Sequence, residues 1–391
     1  MIDKKENCCG CGSCYQICPQ NCIELQYDGE GFLYPSINYE KCLNCGLCEN
    51  SCPVNKSSSY SECSSKVELY AAINKDEQIR MNSSSGGIFT LFAEWILDHG
   101  GLIFGAAFDD DWTVHHVSIE SRNELFKLRS SKYLQSRTER TYSEVKQKLL
   151  ENRLVLYTGT PCEIEGLKKY LKNDYENLYT QDIICHGSPS PKLWKKYVEY
   201  RERRANADLR EMSFRHKKAG RSTYSVQFEF ANSTKYEQLA AKDIYTRMFL
   251  QNLCLRPSCY NCSFKKINRV SDITLGDFWG CDEFCPELDD GKGCSIVIVH
   301  SEKGRKLFDA IKSKIKYKGI DELEAFTYNP SMTMSASMPK LRDEFMAQID
   351  TISIDELANK YLKHPTLKSR ISEVIPKKLK KKIKALISNK I

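Results

Sequence analysis

The strongest constraint on this chain is a pattern of cysteines that occurs twice within its first 53 residues. Cys8, Cys11, Cys14 and Cys18 form a C-x2-C-x2-C-x3-C run followed by Pro19, and every position of that run recurs 34 residues later. The second run consists of Cys42, Cys45, Cys48 and Cys52, followed by Pro53. Three thiolates on one short loop can reach three corners of an iron–sulfur cubane. The fourth iron faces away from that loop, so its ligand must come from another part of the chain.

This spacing is typical of bacterial ferredoxins with two 4Fe–4S clusters, in which the fourth cysteine of each run ligates the other cluster. The pattern predicts one cluster held by Cys8, Cys11, Cys14 and Cys52, and a second held by Cys42, Cys45, Cys48 and Cys18. The exchange would tie together a segment that has only a small apolar core. A zinc site would instead use C-x2-C pairs with longer gaps. We therefore predict a ferredoxin domain over residues 1–56.

Composition describes an ordinary globular protein. The chain has 391 residues, of which 41% are hydrophobic and 28% charged, and its length suggests two or three domains. No run approaches the roughly 18 apolar residues of a membrane span, and residues 1–6 lack the apolar core of a signal peptide. The 19 cysteines are therefore expected to be metal ligands in a reducing cytoplasm rather than disulfide partners.

The net charge of +7 comes from the end of the chain. Residues 377–391 contain seven lysines and no acidic residue, which leaves the remainder neutral and argues against a nucleic-acid-binding surface. Leu379, Ile383, Leu386 and Ile387 fall at helical spacing opposite these lysines. This basic amphipathic tail is suited to an anionic membrane surface or a partner protein, and a solvated terminus is the alternative.

The pattern of apolar and polar residues changes at several points along the chain. A hairpin around residues 29–31 is predicted between the two cysteine runs, and a polar linker, which contains Cys63, at residues 57–66. From residue 67 short apolar runs alternate with amphipathic stretches, which predicts a sheet covered by helices. After residue 208 we predict two antiparallel strands, a helix over residues 237–253 and a mainly helical extension over residues 311–391. The predicted fold is an α+β ferredoxin-like module, a mixed α/β domain over residues 67–310, and that extension.

Three glycine-containing loops are predicted at the junctions between strands and helices. They are Ser83–Gly87, Thr158–Cys162 and Cys185–Pro189. Such junctions present the N–H groups at the start of a helix, and glycine lets a ligand approach the backbone. At one edge of an α/β sheet they would together line a cofactor crevice. A G-x-G-x-x-G motif is missing, so an ordinary dinucleotide site is not indicated.

Further cysteines lie outside the two runs. Cys9 and Cys22 are spare members of the N-terminal segment and are expected to be small buried hydrophobic residues. In the body of the chain, Cys254, Cys259 and Cys262 fall within nine residues, and Cys162 and Cys185 belong to two of the glycine-containing loops. The thiols of the body are sufficient for a third iron–sulfur cluster. A zinc knuckle at residues 254–262 and a set of separate buried cysteines remain as alternatives.

Several segments resemble one known family. KYLQS, YTGTPCEIEGLKKYL, CHGSPSPKLWKKYV, LRPSCYNCSFKK and DITLGDFWG occur in this order, and with them the chain resembles the coenzyme F420 hydrogenase/dehydrogenase beta-subunit family from about residue 67 to about residue 310. A two-cluster ferredoxin module that precedes these segments fits the same resemblance. The resemblance implies an FAD-containing α/β domain that carries its own 4Fe–4S cluster.

The resemblance also implies site residues. Cys162, Cys185, Cys259 and Cys262 become the expected ligands of the third cluster, with Cys254 in reserve. The expected flavin-side residues are Ser85, Gly86, Gly87, Lys132, Tyr133, Gly159 and Thr160. For Lys132 and Tyr133, an ordinary surface lysine and a core tyrosine are the alternative. Asp272 and Asp277 are expected near the cluster or the flavin, or in structural caps, and His186 is a candidate proton donor or a structural residue. Cys281, Cys285 and Cys294 receive no role.

The predicted function is that of an iron–sulfur flavoprotein oxidoreductase. Electrons from reduced ferredoxin or another redox partner would enter the N-terminal clusters, reach the third cluster and FAD, and reduce a small organic substrate or a deazaflavin coenzyme. The alternative is an electron-transfer subunit that serves a separate catalytic partner through residues 311–391.

Overall fold

The computed structural model describes residues 4–55, 67–217 and 223–363. The predicted linker at residues 57–66, with Cys63, and the predicted basic tail at residues 377–391 lie outside these ranges. Within the described ranges, no helix is both long enough and apolar enough to cross a lipid bilayer.

The strands belong to three sheets. In chain order they are β1 (Ile23–Tyr27), β2 (Leu33–Ile37), β3 (Glu68–Asn74), β4 (Leu102–Phe108), β5 (Val114–Ile119), β6 (Val155–Thr158), β7 (Leu178–Ile183), β8 (Leu209–Lys217), β9 (Tyr224–Phe230), β10 (Lys235–Leu239), β11 (Ile273–Asp277), β12 (Ser295–Val299) and β13 (Ile315–Gly319). β1 and β2 form a hairpin, β8 to β10 form an antiparallel sheet, and the other eight form one mixed sheet.

The helices are short, and most of them connect or cover strands. In chain order they are α1 (Ser13–Ile17), α2 (Leu47–Asn50), α3 (Glu77–Met81), α4 (Ile88–Asp98), α5 (Leu125–Leu128), α6 (Thr141–Leu150), α7 (Pro161–Leu171), α8 (Pro191–Ala205), α9 (Ile244–Leu250), α10 (Cys281–Phe284), α11 (Glu302–Ile311), α12 (Glu322–Phe326), α13 (Arg342–Ala347) and α14 (Ile354–Tyr361).

The mixed sheet has the strand order β13-β3-β12-β11-β7-β6-β4-β5. Neighbours β11, β7, β6 and β4 are parallel, and β3 has the same direction because β12 is antiparallel to both β3 and β11. The carboxyl ends of these five strands therefore meet at one edge of the sheet. The loops that follow them are brought together along that edge, as is common for ligand sites in α/β folds.

Helices cover both faces of this sheet. On one face, α4 and α11 pack against Ile103, Leu156 and Val297. On the other face, α6 and α7 pack against Phe104 and Tyr157. Successive strand residues point to opposite faces, so strands buried on both sides contain continuous apolar runs. β12 is buried over its whole length and is apolar from Ile296 to Val299. The predicted mixed α/β architecture is confirmed.

Two predictions about the later part of the chain need correction. The helix predicted over residues 237–253 is wrong at its start, because Lys235–Leu239 forms β10 and pairs with β9. The helix begins only at Ile244, where the Asp243 side chain accepts a hydrogen bond from the backbone N–H of Thr246. The segment predicted as a mainly helical extension also contributes β13, which pairs with β3 at the edge of the mixed sheet. Pairing with β9, rather than the local helical pattern, decides the conformation of residues 237–239.

The predicted hairpin between the cysteine runs is confirmed, since Tyr27 pairs with Leu33 around residues 28–32. It packs into the body of the protein rather than standing apart. Phe32 is completely buried among residues of α8, α9 and the antiparallel sheet. The Ser190 hydroxyl, which also caps α8, donates a hydrogen bond to the carbonyl of Glu30, and Arg342 donates to the Glu30 carboxylate.

The rest of the N-terminal segment rests on α6 and α7. Thr138 Oγ1 donates to the carbonyl of Cys11 over 3.0 Å, and Lys169 Nζ donates to the carbonyls of Cys52 and Asn55. Gly166 faces the Cys11 side chain. A Cβ at Gly166 would lie 2.9 Å from Cys11 Sγ, so any side chain here would press on a predicted cluster ligand.

We predict that Gly166→Val destabilises the protein, because the new side chain overpacks against Cys11, and overpacking typically costs about 1–3 kcal/mol. Gly319→Val in β13 is the matched control, since nothing lies within 4 Å of a Cβ at Gly319. Thermal unfolding of the anaerobically purified proteins should give a lower midpoint for Gly166→Val than for the control. Equal midpoints would contradict this account of the contact between α7 and Cys11.

Candidate functional site

The first predicted ligand set lines one cavity against the body. Cys8, Cys11, Cys14 and Cys52 all contribute to it, so the structure brings three cysteines of the first run together with the last of the second. Cys8 and Cys11 are buried. Burial raises the pKa of the Cys14 thiol to about 12, which the nearby Cys8 and Cys52 reinforce. Such a thiol keeps its proton until a metal displaces it.

The second predicted set lines a cavity at the surface. Cys18, Cys42, Cys45 and Cys48 surround it, together with Cys22, whose sulfur lies 3.4 Å from that of Cys18. Cys45 is exposed, and Tyr39 and Leu43 on the same cavity keep 75% and 65% of their surface accessible. This cavity is therefore accessible to a partner, whereas the first is enclosed. Cys48 lines both, which makes the two cavities neighbours.

The third predicted set also meets in one cavity. Cys162 lies in the first turn of α7, directly after β6, and Cys185 follows the parallel neighbour β7. Cys259 and Cys262 come from the turn at Pro257–Asn261 and the residue after it. All four line the same cavity. Burial raises the pKa of Cys259 to about 12 and raises that of Cys185 as well. A donor set of four thiols, two of them at adjacent strand ends and two from this turn, is chemically suited to an iron–sulfur cluster.

Cys9 is a fifth thiol in this third cavity, although sequence reasoning treated it only as a spare cysteine. It lines the cavity, and its thiol is in hydrogen-bonding contact with those of Cys11 and Cys162. Since Cys8 and Cys11 line the first cavity, Cys9 connects the N-terminal segment directly with the body. Only its position beside Cys8 in the sequence hinted at this, because neighbouring residues in an extended segment point to opposite sides.

The remaining cysteines lie elsewhere. Cys254, the reserve ligand, is completely buried in the apolar cluster formed by α8, α9 and the antiparallel sheet, and it does not line the third cavity. Cys281, Cys285 and Cys294 are buried together beside β3 and β12, where Cys281 and Cys294 are in contact. Across the described ranges, no three histidine, cysteine or acidic side chains are grouped closely enough to hold a single metal ion.

The glycine-containing loops lie along the carboxyl edge of the mixed sheet, as expected, but much of their backbone is already engaged. The N–H of Gly86 donates to Ser295 Oγ, and a Cβ at Gly86 would lie 2.5 Å from the Ala72 carbonyl oxygen. Ser85 Oγ donates to the Cys294 carbonyl. Gly86 is thus required for close packing on β3 and β12, a structural role that sequence reasoning did not separate from ligand binding.

The second loop behaves similarly. Gly159 N–H donates to the Gln181 carbonyl, and Thr160 caps α7 in a reciprocal capping box with Glu163. In the first loop, Gly87 adopts a positive φ of 79° at the start of α4, a conformation that glycine adopts readily. These contacts explain why the sequence of each loop is typical of a helix start.

Lys132 and Tyr133 lie beside the first glycine-containing loop. Lys132 Nζ donates to the carbonyls of Lys127 and Arg129, both at 2.8 Å, and burial lowers its pKa to about 7. The Tyr133 ring stacks on Phe249 with 5.0 Å between centroids, and its hydroxyl accepts from Arg215. Neither is an ordinary surface residue.

Two cations that the sequence analysis missed brace this region. Arg215, from β8, donates to Asp277 at the end of β11 over 2.7 Å and to the carbonyl of Ser84. Lys217 donates to the carbonyls of Ser85 and Lys292, and burial lowers its pKa to about 7. The antiparallel sheet thus delivers positive charge to the carboxyl edge of the mixed sheet.

The two aspartates and the histidine named in the sequence analysis have different places in the structure. Asp272 accepts hydrogen bonds from Thr180 and Ser301 and holds β7 to the start of α11, which is a structural role. Asp277 is the partner of Arg215. His186 lines the third cavity, where its Nε2 lies 2.7 Å from Asn252 Oδ1, and burial lowers its pKa.

Comparisons with known proteins match two parts of the chain. Residues 152–323 match the family model for the C terminus of the coenzyme F420 hydrogenase/dehydrogenase beta subunit, and residues 7–56 match that of a 4Fe–4S dicluster domain. The first range contains Cys162, Cys185, Cys259 and Cys262. These matches support iron–sulfur electron transfer and an oxidoreductase class.

A solved structure also matches. It is a chain in the xenon-derivatised F420-reducing [NiFe] hydrogenase complex from Methanosarcina barkeri, with 18% sequence identity and a TM-score of 0.45, and the match covers 75% of this chain and 89% of that one. The search of curated proteins gave no match.

We predict that Arg215→Met destabilises the protein by about 3 kcal/mol, because it leaves the Asp277 carboxylate without its buried partner. The Arg215 and Asp277 side chains are only 11% and 17% exposed. The control is Lys235→Met, which removes an exposed pair with Glu229 and should cost about 1 kcal/mol or less. Unfolding should therefore begin at a clearly lower urea concentration for Arg215→Met. Coincident unfolding curves for the two variants would contradict a stabilising role for the ion pair between Arg215 and Asp277.

Proposed function

We propose that this chain is an iron–sulfur flavoprotein oxidoreductase. In this proposal, electrons pass from two ferredoxin-type 4Fe–4S clusters through a third cluster to FAD, and from there to a small organic substrate or a deazaflavin coenzyme. The observation that carries the proposal is the third cavity, in which four thiols of the body meet Cys9 of the N-terminal segment. A thiol-lined site in that place connects the segment electronically with the α/β domain.

The order of the cavities supports a linear path. The surface cavity shares Cys48 with the enclosed cavity, and the enclosed cavity is adjacent to the third through Cys8, Cys9 and Cys11. Electrons from a reduced ferredoxin or another redox partner would enter at the exposed rim formed by Tyr39 and Leu43. The protein's part is to hold the clusters in this order and to set their potentials through burial and hydrogen bonds.

The carboxyl edge of the mixed sheet is the proposed flavin site. A bound flavin exchanges electrons singly or as a hydride, which links clusters to organic chemistry. Arg215 and Lys217 would offset negative charge on a diphosphate or on the ring, and the glycine-containing loops around Ser85, Gly86, Gly87, Gly159 and Thr160 would surround it. Lys132 and Tyr133 would border the same site, and His186 would lie between it and the third cavity as a proton donor.

A second candidate is an electron-transfer subunit that serves a separate catalytic partner. Met334, Met338 and Leu341 are exposed on the C-terminal segment, at 63%, 52% and 47% of their surface. The same segment contacts the third cavity, since the Cys262 N–H donates to Ser335 Oγ. Turnover of flavin-site acceptors by the isolated chain with reduced ferredoxin would favour the enzyme, and electron uptake without turnover would favour the subunit.

Anaerobic purification tests the cofactor content. Three cubanes and one flavin predict about twelve irons, about twelve sulfides and one FAD per chain. Iron, acid-labile sulfide and flavin should be quantified on the same preparation. An iron content of about eight per chain would rule out the third cluster. A preparation that holds no flavin after reconstitution with FAD would rule out the interpretation as a flavin-dependent enzyme.

Single cysteine variants test the ligand set of the third cluster. Cys259→Ser should lower the iron content by about four per chain, because a cubane needs all four of its thiolates. The matched control is Cys254→Ser, which changes a neighbouring buried thiol outside the cavity and should keep the full iron content. Cys9→Ser should also keep it, since Cys9 is the fifth thiol. Unchanged iron in Cys259→Ser, or loss in Cys9→Ser alone, would mean that the ligands are assigned wrongly.

A further inference from the structure

Arg256 connects the cysteine-rich segment of the body with the N-terminal segment. It lies between Cys254 and Cys259 in the sequence, is completely buried, and extends towards the first cavity. Its Nε donates to the carbonyl of Cys8 over 2.7 Å, and its two terminal nitrogens donate to the carbonyl of Leu33 and to Gln135 Oε1, each over 2.9 Å. One of these nitrogens also lies 3.4 Å from Cys8 Sγ.

The guanidinium is enclosed by aromatic rings. It lies over Tyr34 at 4.2 Å from the ring centroid and 5.5 Å from that of Phe32. Its hydrogen-bond acceptors in the described part of the chain are carbonyls, an amide oxygen and a sulfur, and none of them is a carboxylate. A buried charge without a counter-charge is strongly unfavourable. The Cys8 sulfur, as a thiolate that carries part of a cluster's charge, is the counter-charge that this site offers.

A second buried cation contacts residues that line the same cavity. Lys169, in α7, donates to the carbonyls of Cys52 and Asn55 and is 6% exposed. The surface cavity differs in this respect. The described residues that line it include neither lysine nor arginine, and Glu49 lines both cavities, so that carboxylate does not distinguish them. The two predicted clusters of the N-terminal segment therefore differ in their cationic contacts, since Arg256 and Lys169 hydrogen-bond to Cys8 and Cys52 of the inner set.

This difference acts on reduction potentials. A cubane held by four thiolates carries net negative charge, and reduction adds one more negative charge. Burial alone disfavours the more highly charged reduced form, whereas a nearby cation and a hydrogen bond to sulfur favour it. The outer cluster has no such cation among the described residues that line its cavity.

We propose that Arg256 is a positioning residue that raises the reduction potential of the inner cluster, held by Cys8, Cys11, Cys14 and Cys52, above that of the outer cluster, held by Cys42, Cys45, Cys48 and Cys18. One electron then moves from the reduced outer cluster to the oxidised inner cluster, and no proton or bond is exchanged. The donor to the outer cluster is a low-potential one-electron carrier protein. This inference rests on the proposed function only in requiring that both clusters are present.

The test is a redox titration of the anaerobic full-length protein, followed by electron paramagnetic resonance. In the unaltered protein the two clusters should titrate at separate potentials. Arg256→Gln and Arg256→Met should lower the higher potential so that the reduced-to-oxidised ratio at a fixed potential falls about tenfold, which corresponds to about 59 mV for one electron. Arg256→Lys, which keeps the charge, should restore part of the shift.

Arg342→Gln is the matched control. Arg342 is also a buried arginine at this junction, where it donates to the carbonyl of Leu255 and to Glu30, but neither of these partners is a cysteine. The Arg342→Gln substitution should leave the reduction potentials of both clusters unchanged. A purely structural role for Arg256 predicts that the two arginine variants behave alike.

The outcomes separate this inference from the proposed function. Absence of cluster signals in the unaltered protein would defeat the proposed function itself. Intact clusters that titrate together, an unchanged potential in an iron-replete neutral Arg256 variant, or an equal shift in Arg342→Gln would overturn only the role of Arg256. If the neutral variants do not accumulate, the separate potentials of the unaltered protein and the Arg256→Lys titration still decide, since the latter must lie below the unaltered value.

Discussion

Each of the three cavities depends on thiols that are distant in the sequence. The first run of cysteines supplies three members of the inner set, and Cys52 must cross from the second run to complete it. In the body, Cys162 and Cys185 come together because β6 and β7 are parallel neighbours whose carboxyl ends lie at the same edge. Cys259 and Cys262 then reach that edge from a turn about 75 residues further along the chain. The three thiol-lined cavities therefore depend on how the second cysteine run folds back on the first and on how the parallel strands are ordered.

The junction between the N-terminal segment and the body is unusually polar for a buried contact. Thr138, Lys169 and Arg256 all donate from the body to backbone carbonyls of the cysteine loops. Carbonyls in irregular loops lack partners within a helix or strand, and burying them without hydrogen bonds would be unfavourable. The body supplies those donors, so the loops can be enclosed without losing hydrogen bonds. Gly166 adds the steric side of the same fit, since it leaves room for Cys11.

The sequence predicted the elements that depend on local pattern, and it could not predict those that depend on tertiary contacts. The alternating strands and helices after residue 67 and the antiparallel strand pair after residue 208 are both present, because their apolar patterns are unambiguous. The start of the predicted helix at residue 237 is wrong because pairing with β9 decides the conformation of Lys235–Leu239. The grouping of Cys162, Cys185, Cys259 and Cys262 followed from motif resemblance. The position of Cys9 in the third cavity could not be predicted, because cysteine spacing does not reveal which way a side chain points relative to another domain. Arg215 and Lys217 were missed for the same reason, since they arrive from a separate sheet.

The order of strands brings the residues of the third cavity and the positive region around Arg215 together along one edge. Cys185 and Cys162 follow β7 and β6, and Asp277 ends β11, which is the next strand on the other side of β7. The glycine-containing loop after β3 packs on β12, which lies next to β11. Arg215 reaches both Asp277 and that loop, so the positive region is adjacent to the third cavity and not across the sheet from it. In the proposed function, a flavin bound at Arg215 would therefore be a neighbour of the third cavity. The same edge would then carry electrons from thiolate-bound iron to an organic ring, with the mixed sheet as the rigid support beneath both.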